Sequence, residues 1–564
     1  MSGPYRVPAA ARERFGARID RSEPVGFRLD GKVFNGFYGD TLESALLASG
    51  VSTFGASPLL GRPRGPMSLD VDAPTPVLVG DDGSWRPASA GDVVVREGLK
   101  ARLPGQASAA LRRLAPVAMP EDRALPTASR LIERLRQALP MPAPRLPRPA
   151  AASPARYERC DALVIGAGLA GLSAGLALRT AGLDVRIVEA DRTPGGLADL
   201  YDGRIDGKPL AEWAQAHAAG FAGRQALTLR ATAVSIAADG AVTVIERVGV
   251  GDAPVLRVIW AGAVVLATGH RERPMAFAEN DRPGVIFAVA ARALLRRHAI
   301  APGSRVLVAT TCDEGYRAAM DLREAGVAVD FVIDQRDQPE GPAVEMAKAL
   351  GAPVSLSSVV TGLEYDAKRG AITGVRVRNR YGEGASAGAR VLPADALVVA
   401  GGFTPRDELA RASGLGPEQG LRLAFDGPNA VDAVAGGWRA GVEAAAQLGA
   451  TLDQPAPAVE ATSDEFGEAP SLEPASFAAV GANVAFADIG ADVSLADLAR
   501  AVGRRGPAPA AIARRLGLGS GPDCGRLSAD LPGLALAALG VNGADPPGPA
   551  AGRLTLAQRA ARAV

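Results

Sequence analysis

A chain of 564 residues has the length for about three or four domains and an ample core, and its 61 acidic residues nearly cancel its 62 basic ones. That balance leaves no global field to steer the protein toward nucleic acid or an anionic membrane, and no run approaches the ~18 apolar residues that span a bilayer. The N-terminus has no apolar signal core, so the expected address is the cytoplasm.

Residues 24 to about 95 alternate short strand-like runs, Val25 to Leu29 and Lys32 to Phe37, with a helix opening at Asp40-Thr-Leu-Glu43. Asp40 or Thr41 can cap that helix, while Leu42, Ala45, Leu46 and Leu47 supply its apolar face. Residues 1–100 are therefore expected to form a small β-grasp domain. From 101 to 156 the chain is rich in Ala, Arg and Pro, ending in Leu139-Pro-Met-Pro-Ala-Pro-Arg-Leu-Pro147, which reads as a helical stretch followed by a stiff linker.

The segment Asp161-Ala-Leu-Val-Ile-Gly-Ala-Gly-Leu-Ala-Gly-Leu-Ser-Ala-Gly175 then joins an apolar strand, a glycine turn and a helix of small residues, and Val185-Arg-Ile-Val-Glu189 supplies a second strand tipped by an acid. This is the sequence form of a dinucleotide-binding βαβ unit. Gly166 permits the tight turn, Gly168 lets backbone N–H groups reach a pyrophosphate ahead of Leu169 and Ala170 in the first helical turn, and Gly171 lets helix and strand pack closely. Glu189, with Ala190 beside it, stands 21 residues beyond Gly168, where a carboxylate accepts ribose hydroxyls and disfavours the extra phosphate of NADP. Gly195-Gly196-Leu197 has the form of the glycine pair that passes close to the cofactor in flavin-type folds. Ala263-Val-Val-Leu-Ala-Thr-Gly269 is a buried strand running into Thr268 and Gly269, the return beneath the nucleotide.

A second α/β rhythm follows, with Arg305-Val-Leu-Val-Ala309 as strand, Glu314 to Ala325 as helix and Ala328 to Asp334 as strand. Its turn, Thr310-Thr-Cys-Asp-Glu-Gly315, lacks the glycine triplet, so a second nucleotide site is left open as a question. The dinucleotide domain is expected to comprise 157–285 and 396–455, with the strand Ala396-Leu-Val-Val-Ala-Gly-Gly402 returning the chain to it and Ala433 to Gly449 closing it; 286–395 is then the insert. After a linker at 456–481, residues 482–564 read as a small helical domain opening at Ser494-Leu-Ala-Asp497. The expected fold class is thus α/β: an FAD/NAD(P)-binding Rossmann-like domain with an inserted second α/β domain, an N-terminal β-grasp domain and a C-terminal helical tail.

Cys160, Cys312 and Cys524 are far apart, with no Cys-x-x-Cys pair, which argues against a redox disulfide, an iron-sulfur cluster and a zinc site; no metal is expected. His217, His270 and His298 are scattered and read as packed or surface imidazoles. Arg271, Glu272 and Arg273 face either cofactor or partner, or form surface ion pairs, the reading preferred here; Arg62 and Arg64 are an interface contact or solvated charges. No acid, base or nucleophile constellation emerges, so catalytic residues are not assigned.

The order of several strings resembles the amino-terminal half of the alpha subunit of heterotetrameric sarcosine oxidase, with relatives among opine oxidases and hydrogen cyanide synthase. They are Gly39-Asp-Thr-Leu-Glu-Ser-Ala-Leu-Leu-Ala48, Gly61-Arg-Pro-Arg-Gly65, Ile205-Asp-Gly-Lys-Pro209, Glu272-Arg-Pro274, Asn280-Asp-Arg-Pro-Gly284 and Val493-Ser-Leu-Ala-Asp497. The resemblance implies amine oxidation on a flavin-bearing beta-type partner, with room for further small subunits, while this chain binds NAD and contributes to an FMN site at a subunit interface. Two departures limit it. The cysteine sets with which some relatives hold an iron-sulfur cluster are missing, and the chain stops before the tetrahydrofolate-binding aminomethyltransferase-like domain, so transfer of a one-carbon unit to folate is not expected of it.

The cofactor at the first site stays open between NAD and FAD: Glu189 suits both, the resemblance points to NAD, and the Gly195-Gly196 and Ala-Thr-Gly patterns are flavin-like. The leading expectation is the dinucleotide-binding subunit of a multisubunit flavin-dependent amine or imino acid oxidoreductase. The alternatives are a self-contained FAD-dependent NADH oxidoreductase using both α/β halves, and a noncatalytic scaffold holding a structural nucleotide.

Overall fold

The computed structural model describes residues 4–8, 15–57, 59–69, 72, 75–81, 84–104, 155–223, 226–247, 254–381, 388–424, 426–427, 429–460, 482–503, 508–521, 523 and 525–541. The helix and linker expected within 101–156, most of the Pro-rich break and the last part of the tail lie outside these residues. The chain divides into two compact units, one drawn from 1–147, 272–402 and 465–549, the other from 148–271, 403–464 and 550–564.

In the first unit, the N-terminal sheet has the spatial order Lys32–Tyr38, Asp20–Leu29, Leu99–Arg102, Pro76–Asp81, Ser84–Ser89. Its first and last strands in sequence, Asp20–Leu29 and Leu99–Arg102, lie side by side in parallel inside the sheet, and the helix Leu42–Ala48 covers it, which is the β-grasp arrangement. Thr41 caps that helix with a reciprocal bond to Ser44, and Leu42, Ala45 and Leu46 are wholly buried. Asp40 lies just ahead, bound by Arg6 at 2.6 Å and close to His298. Although burial opposes it, hydrogen bonds from His298 and Arg6 hold the Asp40 carboxyl down at about 2.

The same unit contains an all-parallel sheet ordered Val285–Phe287, Ala396–Ala400, Arg305–Thr310, Ala328–Asp334, Val354–Ser355. Ala396–Ala400 is thus a central strand of the inserted domain, where 396–455 was expected to rejoin the dinucleotide domain. Five consecutive buried apolar residues suit any strand covered on both faces, so the segment alone does not say which sheet takes it. A three-stranded antiparallel sheet follows at 358–366, 371–379 and 390–393. The tail is less purely helical than expected, since a short hairpin, Phe486–Asp488 with Val493–Ser494, precedes the helices Leu495–Val502, Pro509–Leu516 and Leu531–Ala538.

The Gly61-Arg-Pro-Arg-Gly65 string is neither solvated nor an outward-facing contact. Arg62 bonds Glu279 at 2.6 Å and Asp281 at 2.7 Å, Arg64 bonds Asp492 at 2.7 Å, and both guanidinium groups lie over the Phe486 ring. These contacts clip the β-grasp loop to the start of the insert and to the tail.

The second unit is a mixed sheet ordered Leu227–Thr228, Val185–Val188, Ala155–Ile165, Val255–Leu266, Ala241–Glu246, Ala231–Ile236, with Leu421–Leu423 also beside Val255–Leu266. The strands ending at Ile165, Val188, Leu266 and Leu423 run in parallel, so all four open at the same end of the sheet. Helix Leu169–Thr180 packs on helix Ala430–Gln447 through bare backbone. A Cβ at Gly437 would lie 2.1 Å from the Ala170 carbonyl oxygen, and one at Gly441 would lie 2.7 Å from that of Ala174. Gly437→Val is expected to lower stability by about 3 kcal/mol through overpacking, read as a lower thermal or urea midpoint; an unchanged midpoint would contradict this helix contact.

Candidate dinucleotide site

The strand Ala155–Ile165 is buried from Ala162 to Ile165 and ends in Gly166, whose φ of +109° a side chain would strain and whose added Cβ would sit 2.3 Å from the Ala267 carbonyl oxygen. Gly168 is the N-cap of helix Leu169–Thr180, and a Cβ at Gly171 would fall 1.9 Å from the Gly166 oxygen. The first and third glycines therefore serve close packing. Gly168 differs: a Cβ there would meet nothing nearer than the Gly196 Cα at 4.0 Å, so its face opens into a cradle. The helix start beyond it, with Leu169 and Ala170 in the first turn, presents its N–H groups and positive dipole end to that space.

The far wall of the cradle is Gly195-Gly196-Leu197. The Gly195 N–H donates to the Ala167 oxygen at 2.8 Å, and both glycines have positive φ, so the loop is tied to the turn and bends back toward Gly168. A Cβ at Gly196 would stand 3.2 Å from the Gly168 Cα. The two backbones thus lie against each other, with little room for a side chain at Gly196.

Glu189 closes one end. Its carboxylate accepts the Ala167 N–H at 2.6 Å and the Asp191 N–H at 2.8 Å. An ionised carboxylate has about four lone pairs, which leaves two for ribose hydroxyls. Desolvation raises its pKa above the ordinary value, partly offset by the Asp191 and Ala167 bonds. Beside it the Ala190 oxygen accepts from Arg247 at 3.0 Å.

Thr268 and Gly269 lie at the end of Val255–Leu266, next in the sheet to Ala155–Ile165. Here the structure adds a residue that sequence reasoning missed. Arg406 donates from its side chain to the Thr268 oxygen at 3.0 Å and from its backbone to the Gly269 oxygen, while the Thr268 hydroxyl donates to the Arg406 oxygen at 2.7 Å. No local motif marks Arg406, since only the folded chain brings a position 138 residues away onto the Thr-Gly turn. Burial, and then the Arg406 charge, press the adjacent His270 down to about 4, which keeps its imidazole neutral near pH 7.

The Arg271-Glu272-Arg273 run does form ion pairs, but its first two residues are buried. Arg271 pairs with buried Glu408, and Arg273 binds Asp530 at 2.8 Å. Buried Glu272 caps helix Ala288–His298 by accepting the Val289 N–H at 2.7 Å. Among the described residues no group of three metal-ligating side chains converges, and no helix is long and apolar enough to cross a membrane.

The glycine turn, small-residue helix and acid-tipped strand define a dinucleotide-binding oxidoreductase, and residues 160–428 match the pyridine nucleotide-disulphide oxidoreductase model. The relatives narrow the class. The chain is 34% identical over 418 residues to sarcosine oxidase subunit alpha of Corynebacterium sp. (strain P-1), covering 71% of this chain and 39% of that one. It is 33% identical to the same subunit of Rhizobium meliloti (strain 1021), covering 79% and 46%. It is similar to sarcosine oxidase alpha subunits over most of its own length and spans roughly two-fifths to a half of the length of these curated relatives. The crystal structure of L-proline dehydrogenase from P. horikoshii shares the fold at a TM-score of 0.68 and 18% identity, covering 98% of this chain and 99% of that one.

One expectation is corrected. Residues 22–104 match the model of a 2Fe-2S iron-sulfur cluster binding domain, so the β-grasp belongs with cluster-binding domains, where no iron-sulfur cluster was expected. The expectation rested on cysteine spacing, which is blind to domain kinship. The residues of this segment do not fit the usual thiolate set, because Cys160, Cys312 and Cys524 all lie outside it; no step is derived through a cluster.

Affinity for a dinucleotide should fall as pH drops from neutrality toward the carboxylate range. Glu189, with its raised pKa, takes up a proton there and loses its anionic acceptors. Glu189→Gln should flatten that pH dependence and weaken binding by about 1.5–3 kcal/mol, both read by equilibrium titration with NAD and FAD.

Proposed function

We propose that this chain is the dinucleotide-binding, alpha-type subunit of a multisubunit flavin-dependent oxidoreductase acting on an amine or imino acid, sarcosine-oxidase-like, with the amine oxidised on a flavin-bearing beta-type partner. The observation that carries the reading is the open face of Gly168 at the helix start, with Glu189 at the tip of the next strand, in a chain whose relatives are named as subunits of sarcosine oxidase.

A dinucleotide held here supplies two-electron redox chemistry at its flavin or nicotinamide ring. The chain's own residues would bind and orient it: the N–H groups beyond Gly168 on the pyrophosphate, Glu189 on a ribose, and Gly195-Gly196 admitting close approach. Thr268, Gly269 and Arg406 brace the floor through their mutual hydrogen bonds.

Purification of the chain with whatever accompanies it from its native host, followed by mass spectrometry of released cofactors, tests the proposal. The expected result is one dinucleotide per chain and a flavin that tracks a second polypeptide. Gly168→Val should strip the dinucleotide from the chain. A solitary chain carrying stoichiometric FAD and reducible by NADH would instead establish a self-contained reductase.

A further inference from the structure

We propose that the second α/β unit is a closed Rossmann seat, filled by its own side chains, so that the chain takes a dinucleotide at the first seat alone. The argument stands on the inserted domain's geometry and does not depend on the identity of the substrate or partner.

The turn Thr310-Thr-Cys-Asp-Glu-Gly315 occupies the place where a glycine turn would present N–H groups to a pyrophosphate, between the strand Arg305–Thr310 and the helix Asp313–Glu324. Two of those groups are already engaged. The Cys312 N–H donates to the Thr310 hydroxyl oxygen at 3.1 Å, and the Thr311 N–H donates to the Ala400 oxygen at 2.9 Å. Thr310 stands where the first glycine would be, and its side chain fills the space in front of Gly315, whose added Cβ would lie 2.4 Å from the Thr310 Cβ.

The helix start is likewise occupied, by a carboxylate. Asp313 is the first helical residue, where an anion is favoured by the helix dipole, and Arg336 reaches it at 3.0 Å from the segment after the next strand. A phosphate brought there would meet a like charge. Gly341 covers Asp313 from the other side, since a Cβ on it would sit 2.9 Å from an Asp313 carboxylate oxygen.

Asp334 is the counterpart of Glu189, an acid at the end of the second strand, and like Glu189 it accepts the N–H of the residue two further on, Arg336, at 2.9 Å. Its other oxygen takes the Tyr316 hydroxyl at 2.8 Å and the Arg336 guanidinium at 3.0 Å, the places a ribose would need. Asp313, Tyr316 and Asp334 are all buried to 1% exposure or less, whereas Gly168 and Glu189 of the first seat are only partly covered.

Hydrogen–deuterium exchange of the full chain with millimolar NAD, NADH, NADPH or FAD tests this. Absence of protection over 310–316 and 334–341 is expected, whatever the first seat binds, so a failure of the functional proposal would show separately at 166–171 and 189–197. Protection at 310–316 by any of the four would overturn the closed seat. Arg336→Ala should speed exchange over 312–316 by about tenfold or more, with Tyr316→Phe as the milder variant should the first not fold. Unchanged exchange in a folded variant would show that these side chains do not close the seat.

Discussion

Backbone brought within touching distance of backbone is the constraint on which the dinucleotide unit rests. The third glycine of the turn lets the helix start lie against the Gly166 carbonyl, and Gly437 and Gly441 let a second helix lie against the Ala170 and Ala174 carbonyls. Each contact positions helix Leu169–Thr180, and that helix carries the N–H groups that make the site. A methyl group at any of these places would move the helix and take the cradle with it, although none of the three residues need touch a ligand. Gly168 is the exception, because its missing side chain leaves open space where packing would have filled it.

The sequence made the first seat legible because its signals are local. Strand, turn, helix and acid fall within 29 residues, Asp161 to Glu189, and each residue type has one steric or hydrogen-bonding reason to be there. The β-grasp helix was legible for the same reason, through the Thr41 and Ser44 cap and its buried stripe. What could not be read depends on contacts between distant segments. Ala396–Ala400 is apolar enough for either parallel sheet, and its partners are settled by three-dimensional pairing with Val285–Phe287 and Arg305–Thr310. Arg406 carries no motif and acquires its role by landing on the Thr268-Gly269 turn. Arg62, Arg64 and Arg271 look like surface charges until their carboxylate partners, all more than 100 residues away, are known.

Those buried ion pairs show how an arginine-rich chain holds its parts. Removing two charges from water costs several kcal/mol per ion, which the pair recovers only with good geometry and additional hydrogen bonds. Arg62 meets that condition with two carboxylates and an aromatic face, and Arg292 and Arg296 meet it by sharing Asp321, whose carboxyl they hold well below the usual range against the effect of burial. Arginine suits these sites better than lysine because its planar fork bonds two oxygens at once. Loss of one partner would leave the other charge buried, so such clusters fix which segments meet more than they add net stability.

The two Rossmann units show how little chemistry separates an open seat from a filled one. Both have an acid at the end of the second strand, and both acids accept the N–H group two residues on. The difference begins at one position, Gly166 against Thr310. Gly166, Ala167 and Gly168 carry no side chain that could accept an N–H of their own turn, whereas the Thr310 hydroxyl captures the Cys312 N–H and ties the second turn to itself. Once the turn is self-satisfied, a carboxylate at the helix start no longer competes with a phosphate, and Arg336 can bridge Asp313 to Asp334 across the place a ribose would occupy. The second unit then keeps the stability of a parallel α/β sheet while its own side chains take the places a ligand would need.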